Sequence, residues 1–228
     1  MVRRRMLTMA LSVILALAVS APVASAQQTV NGAAQSGQIG KLSAAWWQQS
    51  LSGSSPPECG SLEQNAASGN VFYLANFTGE VDATCIVPSG SRILFPIINY
   101  ACSPQLFDPY TTEQDLRAEC GRLLDYSLQD ATGVFATVDG EDVTGQIVCA
   151  DSPLFNLTIP QNGFFGIPGT GPAVANGCWV LLTPLPPGEH TITFGGTFPV
   201  STEAGVPPGT TFTQDATYTL TVVPDSRR

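Results

Sequence analysis

The chain has 228 residues, with 18 acidic and nine basic side chains, a formal net charge of −9 and a pI of about 4.3. Such a surface repels nucleic acid, because binding to phosphates depends on Lys and Arg that displace counterions. A structural zinc site is also excluded, since the chain has a single histidine and no Cys-x-x-Cys pair. No cofactor fingerprint is present, and we expect neither a nucleic-acid partner nor a cofactor.

The first 26 residues have the pattern of a secretory signal peptide. Arginines at positions 3–5 precede an apolar run at 6–19, and Ala24-Ser25-Ala26 supplies the small residues of a cleavage site. The run is short for a membrane span, although an uncleaved anchor is the alternative. Cleavage after Ala26 leaves 202 residues with six basic and 18 acidic side chains, a formal charge of −12. No further apolar stretch of spanning length follows, so we predict an extracellular protein.

The exported part begins with a polar stretch. Residues 27–38 are rich in Gln, Gly, Ala and Ser, which predicts a flexible segment. Residues 39–228 then form a single predicted β-rich domain. At its start, residues 41–51 predict a short helix that carries Trp46 and Trp47.

Beyond residue 70 the pattern is one of short strands separated by Gly, Pro and Ser. The last of them alternates apolar residues with threonine, as a half-exposed strand does. Asp139-Gly140 predicts a tight hairpin turn. Many short strands without βαβ alternation indicate a β-sandwich or jelly roll with one or two short helices. The predicted strands cover residues 71–76, 92–99, 134–138, 145–149, 154–159, 178–183, 190–194 and 216–223.

One clear helix interrupts the strands. Thr112 can cap it, with Asp115 three residues later. Five residues that follow share one helical face at a spacing of 3.6 residues, and they are Leu116, Cys120, Leu123, Leu124 and Ser127. We expect this face to be buried.

The six cysteines all follow the signal peptide. An even number in an exported chain predicts three disulfides, of which six cysteines allow fifteen arrangements. Our working hypothesis is sequential pairing, which would stabilise the fold by about 3 kcal/mol per bridge. The pairs are then Cys59–Cys85, Cys102–Cys120 and Cys149–Cys178.

Three segments resemble a family of uncharacterised secreted bacterial proteins. They are the Trp46-Trp47 pair, the stretch CIVPSGSRILFPIIN at residues 85–99 and the stretch PLPPGEHTITF at residues 184–194. The resemblance implies secretion and a shared fold over most of the exported chain. It assigns no catalytic residue.

His190 is the single candidate for a catalytic base in a Ser-His-Asp or Cys-His mechanism. The chain contains no G-x-S-x-G turn for a nucleophile, and its cysteines are expected to be oxidised. A structural role at the start of a strand is the simpler interpretation of His190.

Paired carboxylates offer a second route to catalysis, because a glycosidase needs only two of them. Glu80 and Asp82 would share one face of a strand. Asp139, Glu141 and Asp142 cluster at a turn, where they could also hold a calcium ion. The simpler interpretation is that these side chains are solvated.

Trp46, Trp47 and Trp179 could stack on sugar rings, and they are the candidate ligand-binding residues. The alternative is that one of the adjacent pair anchors the helix while Trp179 fills the core, since large aromatics dominate core burial. The glycine-rich residues 163–177 predict a long surface loop in which binding could reside.

Three functions remain open on the sequence alone. The first is a secreted, non-catalytic module that binds a polysaccharide or another envelope component. The second is an extracellular glycan hydrolase or lyase that uses paired carboxylates. The third is a structural or adhesive surface protein without a ligand.

Overall fold

The structure is a computed structural model that describes residues 32–53, 59–65, 69–75, 79–106, 112–163, 167–202 and 206–224. The predicted signal peptide and residues 27–31 of the predicted flexible segment lie outside the described residues.

The described residues form two helices, α1 (Gly32–Ser50) and α2 (Glu113–Gln129), and eleven strands. The protein is therefore mainly β, as the sequence predicts. The strands are β1 (Ser61–Asn65), β2 (Gly69–Tyr73), β3 (Glu80–Pro88), β4 (Arg92–Cys102), β5 (Thr132–Val138), β6 (Glu141–Asp142), β7 (Val148–Asp151), β8 (Phe155–Ile159), β9 (Gly169–Leu182), β10 (Gly188–Pro199) and β11 (Thr211–Val223).

The strands form two sheets with a sandwich-like layout. The first sheet has the order β1-β2-β4-β9-β7, and β8 pairs with the other half of the long strand β9. The second sheet has the order β3-β11-β10-β5-β6. Each sheet contains one parallel pair, β2 with β4 in the first and β3 with β11 in the second. The short β3–β4 connection carries the chain from one sheet to the other.

The main core lies between the two sheets. Phe95 of β4 stacks on Phe194 of β10 with ring centroids 4.5 Å apart, and Phe194 stacks in turn on Tyr218 of β11. The Tyr218 hydroxyl donates a hydrogen bond to the carbonyl of Ala75, and burial raises the pKa of this hydroxyl. Gln214 of β11 also bridges the layers, because its side-chain amide donates to the Pro96 carbonyl over 3.0 Å.

Helix α1 covers the outer face of the first sheet. Ile39, Trp46 and Leu51 are fully buried on its inner side. The Trp46 Nε1–H donates to the Leu74 carbonyl over 2.8 Å, which fixes the helix to the end of β2. The protein thus has three layers, and a helix covers the outer face of only one sheet within the described residues.

Helix α2 begins as the sequence predicts. The Thr112 hydroxyl accepts from the Asp115 backbone N–H over 3.1 Å, and the whole predicted inner face is buried. The Cys102–Cys120 disulfide joins this helix to the end of β4. The other bridges are Cys59–Cys85, which links the segment before β1 to β3, and Cys149–Cys178, which joins β7 to β9. All six cysteines pair in the predicted sequential order.

Two local predictions are wrong. Helix α1 begins at Gly32 rather than at residue 41, so residues 32–38 are helical and not a flexible segment. The reason is tertiary, since Ile39 is fully buried against the first sheet. Residues 169–177 belong to β9 rather than to a surface loop, because β4 and β8 pair with this Gly-rich stretch and override its low strand propensity.

Candidate functional site

The outer face of the second sheet carries a regular array of threonines. Neither described helix packs against its centre, and its threonines are exposed or half-buried. One row crosses all five strands through successive partners, in the order Asp82, Thr217, Thr193, Thr137, Asp142. We call this surface the threonine face, and its threonines are Thr84, Thr137, Thr191, Thr193, Thr197, Thr213, Thr217, Thr219 and Thr221.

Simple alternation along the strands produces the threonine face. In β11 and β10 the inward positions hold residues such as Ile192, Phe194 and Tyr218, so the residues between them face outward. Threonine suits these positions because its branched side chain packs well on a pleated surface. Neighbouring strands bring the hydroxyls together, and the Thr137 and Thr193 oxygens are 2.6 Å apart.

An aromatic side chain interrupts the array. Phe135 of β5 lies opposite Gly195 of β10 on the outer face, and it is half-buried. A Cβ atom at position 195 would lie 2.9 Å from the Phe135 ring and 2.2 Å from the Gln214 carbonyl oxygen. Glycine at position 195 therefore lets the ring settle on the sheet beside the threonine row. Phe135 is an aromatic residue that belongs to the outer surface rather than to the core clusters.

The candidate carboxylates lie at opposite edges of this same sheet. Glu80 and Asp82 are exposed on β3, whereas Asp142 is exposed on β6. Four strand spacings separate Asp82 from Asp142, which amounts to about 19 Å. A glycosidase needs its two carboxyl groups about 5 to 9.5 Å apart. The two edges therefore cannot supply one catalytic pair between them.

Glu80 and Asp82 are closer together but lie on an open surface. They are two residues apart on one strand, or about 6.7 Å. Both side chains are exposed at the edge of the sheet, and neither lines the two best-defined concavities. The sequence prediction that they share one face is confirmed, and that face is open to solvent at this edge.

Asp139 and His190 form a clasp at the end of the second sheet. Asp139-Gly140 is the predicted hairpin turn, with φ values of 52° and 81°. The Asp139 carboxylate accepts from His190 Nδ1 over 2.7 Å and from the Thr191 backbone N–H over 2.8 Å. His190 Nε2 lies 2.9 Å from the Pro186 carbonyl oxygen. The clasp thus ties the β5–β6 turn to the start of β10.

The clasp favours a charged histidine. Both partners of the ring are acceptors, and only the imidazolium form can donate from both nitrogens. Burial alone would lower the pKa of His190, but the hydrogen bonds to Asp139 and Pro186 and the nearby carboxylate raise it. Burial alone would raise the pKa of Asp139, but the hydrogen bonds from His190 and Thr191 and the histidine charge lower it. Since neither ring nitrogen is available as a base, a structural role replaces the catalytic interpretation of His190.

The turn does not assemble a calcium site. The Asp139 carboxylate faces His190, and Asp142 Oδ1 accepts from the Thr144 backbone N–H over 2.8 Å. The Thr144 side chain and backbone hold the pKa of Asp142 below its ordinary value. Among the described residues, no group of three His, Cys, Asp or Glu side chains is placed to hold a metal ion. In this arrangement the carboxylates of Asp139 and Asp142 bond to different partners and do not converge on one point.

The three tryptophans lie in one buried cluster. Trp46 and Trp179 are fully buried with ring centroids 5.4 Å apart, and Trp47 is 7% exposed. Trp46 and Trp47 also pack edge to face at 5.2 Å. No sugar can stack on rings that α1 and the first sheet already cover. Core packing thus replaces the ligand-binding interpretation, and it applies to both members of the adjacent pair.

A concavity of about 240 Å³ lies away from all of these candidates. It is between the end of α1 and strand β8, and its lining includes Gln48, Asn156 and Thr158. It is shallow, and none of the described residues that line it is ionisable. None of the described helices is long and apolar enough to cross a membrane.

The threonines and Phe135 are the surface residues that the sequence analysis did not select. The T-x-T alternation at 217–221 and at 191–193 was visible in the sequence and indicated one exposed face per strand. The alignment of threonines across strands was not visible, because it depends on the register between β3, β11, β10 and β5.

Comparison with known proteins adds little to this picture. No family model matches the chain, and no curated protein matches it. Among solved structures, a cysteine protease inhibitor from Entamoeba histolytica is 17% identical, with a TM-score of 0.18, over 62% of this chain and 86% of that chain. A TM-score of this size carries no argument about fold or function.

Proposed function

We propose that the protein is an exported, non-catalytic module that binds a polysaccharide on its threonine face. The observation that carries this proposal is the row of hydroxyls at Thr217, Thr193 and Thr137, which crosses the outer face of the sheet and is half-exposed. Each threonine hydroxyl can donate one hydrogen bond and accept others. A row of such groups is complementary to a chain of sugar hydroxyls.

The shape of the surface favours a polymer over a small molecule. Sites for small ligands are concave and enclose most of the ligand. The threonine face is instead an extended sheet surface whose hydroxyls repeat at each strand. Phe135 adds a flat apolar ring beside the row, and such a ring can pack against the apolar face of a sugar.

Export is the second support. Residues 1–26 have the pattern of a signal peptide, and three disulfides are typical of proteins that act in an oxidising compartment. Extracellular polysaccharides and cell-envelope polymers are the abundant hydroxyl-rich partners of that compartment.

A glycan hydrolase or lyase is the rival from another functional class. Glu80 and Asp82 are the pair with a suitable separation, but they lie at an exposed edge. A site for a small substrate encloses most of it, whereas these two side chains are exposed at the edge of the sheet. Turnover of a polysaccharide that is lost in Asp82→Asn would favour this rival.

A retention assay on insoluble polysaccharides tests the proposal. The exported chain is mixed with cellulose, chitin, a β-1,3-glucan and purified cell wall, and the unbound fraction is measured. The test variant is Thr137→Val/Thr193→Val/Thr217→Val, which keeps the branched shape and removes the hydroxyls. The matched control is Thr158→Val/Thr170→Val, which removes an exposed hydroxyl pair 3.0 Å apart on β8 and β9.

We expect the unaltered chain and the control to be retained on at least one polymer and the test variant to be released. Absence of retention on every polymer would contradict the proposal. Equal retention of the test variant would move the site away from the threonine face. Selective loss in the control would place it at the concavity beside Thr158.

A further inference from the structure

The charges that the described residues place around the threonine face all have one sign. Asp82 and Asp215 flank it on the β3 side, and Asp142 and Glu189 flank it on the opposite side and end. The five strands of the second sheet contain neither Lys nor Arg, and His190 points inward. The described basic side chains lie on the helices and on β4 instead, and they are Lys41, Arg92, Arg117 and Arg122.

These carboxylates are not neutralised by the described part of the chain. The ion pairs Arg117–Glu113 and Arg122–Glu119 are internal to α2. Asp82, Asp215 and Glu189 form no ion pair with any described residue.

The positions of the acidic side chains relative to the threonine hydroxyls favour one kind of polymer on the threonine face. The row that crosses the sheet has a carboxylate at each end, Asp82 and Asp142, and three threonines between them. An extended ligand lying along this row meets hydroxyls over its middle and negative charge at both ends, about 19 Å apart. A polymer with acidic sugars or phosphates would be repelled at both ends. A polymer that carries ammonium groups among its hydroxyls would be attracted there.

Resting on the proposed function, we infer that the occupant is a polysaccharide of amino sugars with free amino groups. The hydroxyls of the polymer meet the threonine row, and its ammonium groups meet the carboxylates at the two edges. Phe135 contributes further, since a cation over an aromatic ring is attracted by the ring electrons.

Two forms of one polymer test the inference. Poly-N-acetylglucosamine and the same polymer after deacetylation differ at the sugar nitrogen, which is a neutral acetamide in the first and a free amine that can carry a proton in the second. Retention of the exported chain on both is measured at one pH of about 5.5. The measurement is repeated at roughly 0.05 M and roughly 0.5 M salt, because salt screens pairs of exposed charges.

The test variant is Asp82→Asn/Asp215→Asn, and its matched control is Asp125→Asn/Asp151→Asn. The control removes two exposed charges from α2 and from the end of β7, so the net charge changes equally. We expect tighter retention on the deacetylated polymer, weaker retention at high salt, and a roughly tenfold loss of affinity in the test variant alone.

The outcomes separate this inference from the proposed function. Retention that is equal on the two polymers, or unaffected by Asp82→Asn/Asp215→Asn, overturns the inference while the polysaccharide function stands. An equal loss in both variants also overturns it, because net charge rather than the threonine face would then govern binding. Absence of retention on both of these polymers, together with binding to a neutral polysaccharide, overturns the inference alone. Absence of binding to any polysaccharide overturns both.

Discussion

The outer faces of the two sheets differ in composition and in what covers them. The first sheet presents large apolar side chains such as Tyr73, Leu94 and Trp179, and all three are buried beneath α1 and its neighbours. The second sheet presents threonines, and no described helix covers its centre. Burial of large apolar side chains stabilises the protein, whereas exposed threonines contribute little to stability. Core packing therefore does not explain the regular pattern of threonines on the solvent-facing side of the second sheet.

This difference reverses the expectation, based on residue type alone, of which side chains bind a ligand. Tryptophans are conspicuous candidates for sugar binding, but here they attach a helix to a sheet. Threonines are ordinary strand residues, yet in register they form the most regular exposed surface among the described residues. Substitutions on each face in turn test this difference.

The largest effect is expected on the covered face. Trp46→Ala should lower the free energy of unfolding by about 3 to 5 kcal/mol, since it empties a fully buried site beside Trp179. Trp46→Phe is the matched control, because it keeps a ring and loses the hydrogen bond to the Leu74 carbonyl. It should cost less than Trp46→Ala. Urea unfolding of the exported chain measures both values, and a change below about 0.5 kcal/mol for Trp46→Ala would show that the cluster is not core.

The disulfides should come next. The Cys149–Cys178 bridge of the covered sheet closes a loop of 29 residues. Its removal in Cys149→Ala/Cys178→Ala should therefore lower the free energy of unfolding by about 3 kcal/mol. Cys102→Ala/Cys120→Ala, which frees the end of α2, should cost a similar amount for its loop of 18 residues. Thiol titration of the denatured, unreduced protein checks that all six cysteines are paired in disulfides. Free thiols in that assay would contradict the pairing itself.

A smaller effect is expected at the clasp that closes the end of the uncovered sheet. The raised pKa of His190 stabilises the fold below the ordinary histidine pKa of about 6.5, and this contribution is lost as the pH rises through the raised value. The lowered pKa of Asp139 stabilises the fold above about 3.9, and that contribution is lost as the pH falls through the lowered value. The clasp should therefore contribute most at about pH 4 to 6.5.

Asp139→Asn tests the clasp and preserves the turn, because asparagine tolerates the positive φ of 52°. We expect the variant to lose about 1 to 3 kcal/mol near pH 5 and less near pH 9. His190 is the single histidine of the chain, so its NMR titration needs no assignment. Its pKa should fall towards the ordinary value in Asp139→Asn. An ordinary His190 pKa in the unaltered protein would contradict the geometry of the clasp.

The residues that the sequence predicted correctly depend on short-range rules. The Thr112–Asp115 cap and the Asp139-Gly140 turn each involve neighbours within three residues. The buried face of α2 follows from helical spacing. In contrast, the clasp joins residues 51 positions apart, and the threonine row depends on a parallel pairing of β3 with β11. No local pattern specifies such contacts, because they arise when strands that are distant in sequence pair within one sheet.

The same reasoning explains why the sequence predicted the two-layer fold but did not predict the threonine face. Apolar alternation reports which side of a strand faces the core, and that is sufficient for two layers. It does not report which strands become neighbours. The alternation in the last strand therefore predicted exposed threonines on that strand alone, and only the register joined them to the threonines of the neighbouring strands.

The smallest effect on stability is expected on the threonine face. An unchanged free energy of unfolding there would show that the hydroxyls are not needed for folding. Thr193→Val/Thr217→Val keeps β-branched residues at half-exposed positions, so the free energy of unfolding should change by less than about 0.5 kcal/mol. If the hydroxyl contact between Thr137 and Thr193 were there for stability, its loss would cost more, about 1 kcal/mol. Urea unfolding and the retention assay on the same samples separate the two roles. A stable variant that is released from polysaccharide assigns the hydroxyls to binding, whereas a destabilised variant that is still retained would make the threonine array a feature of the fold.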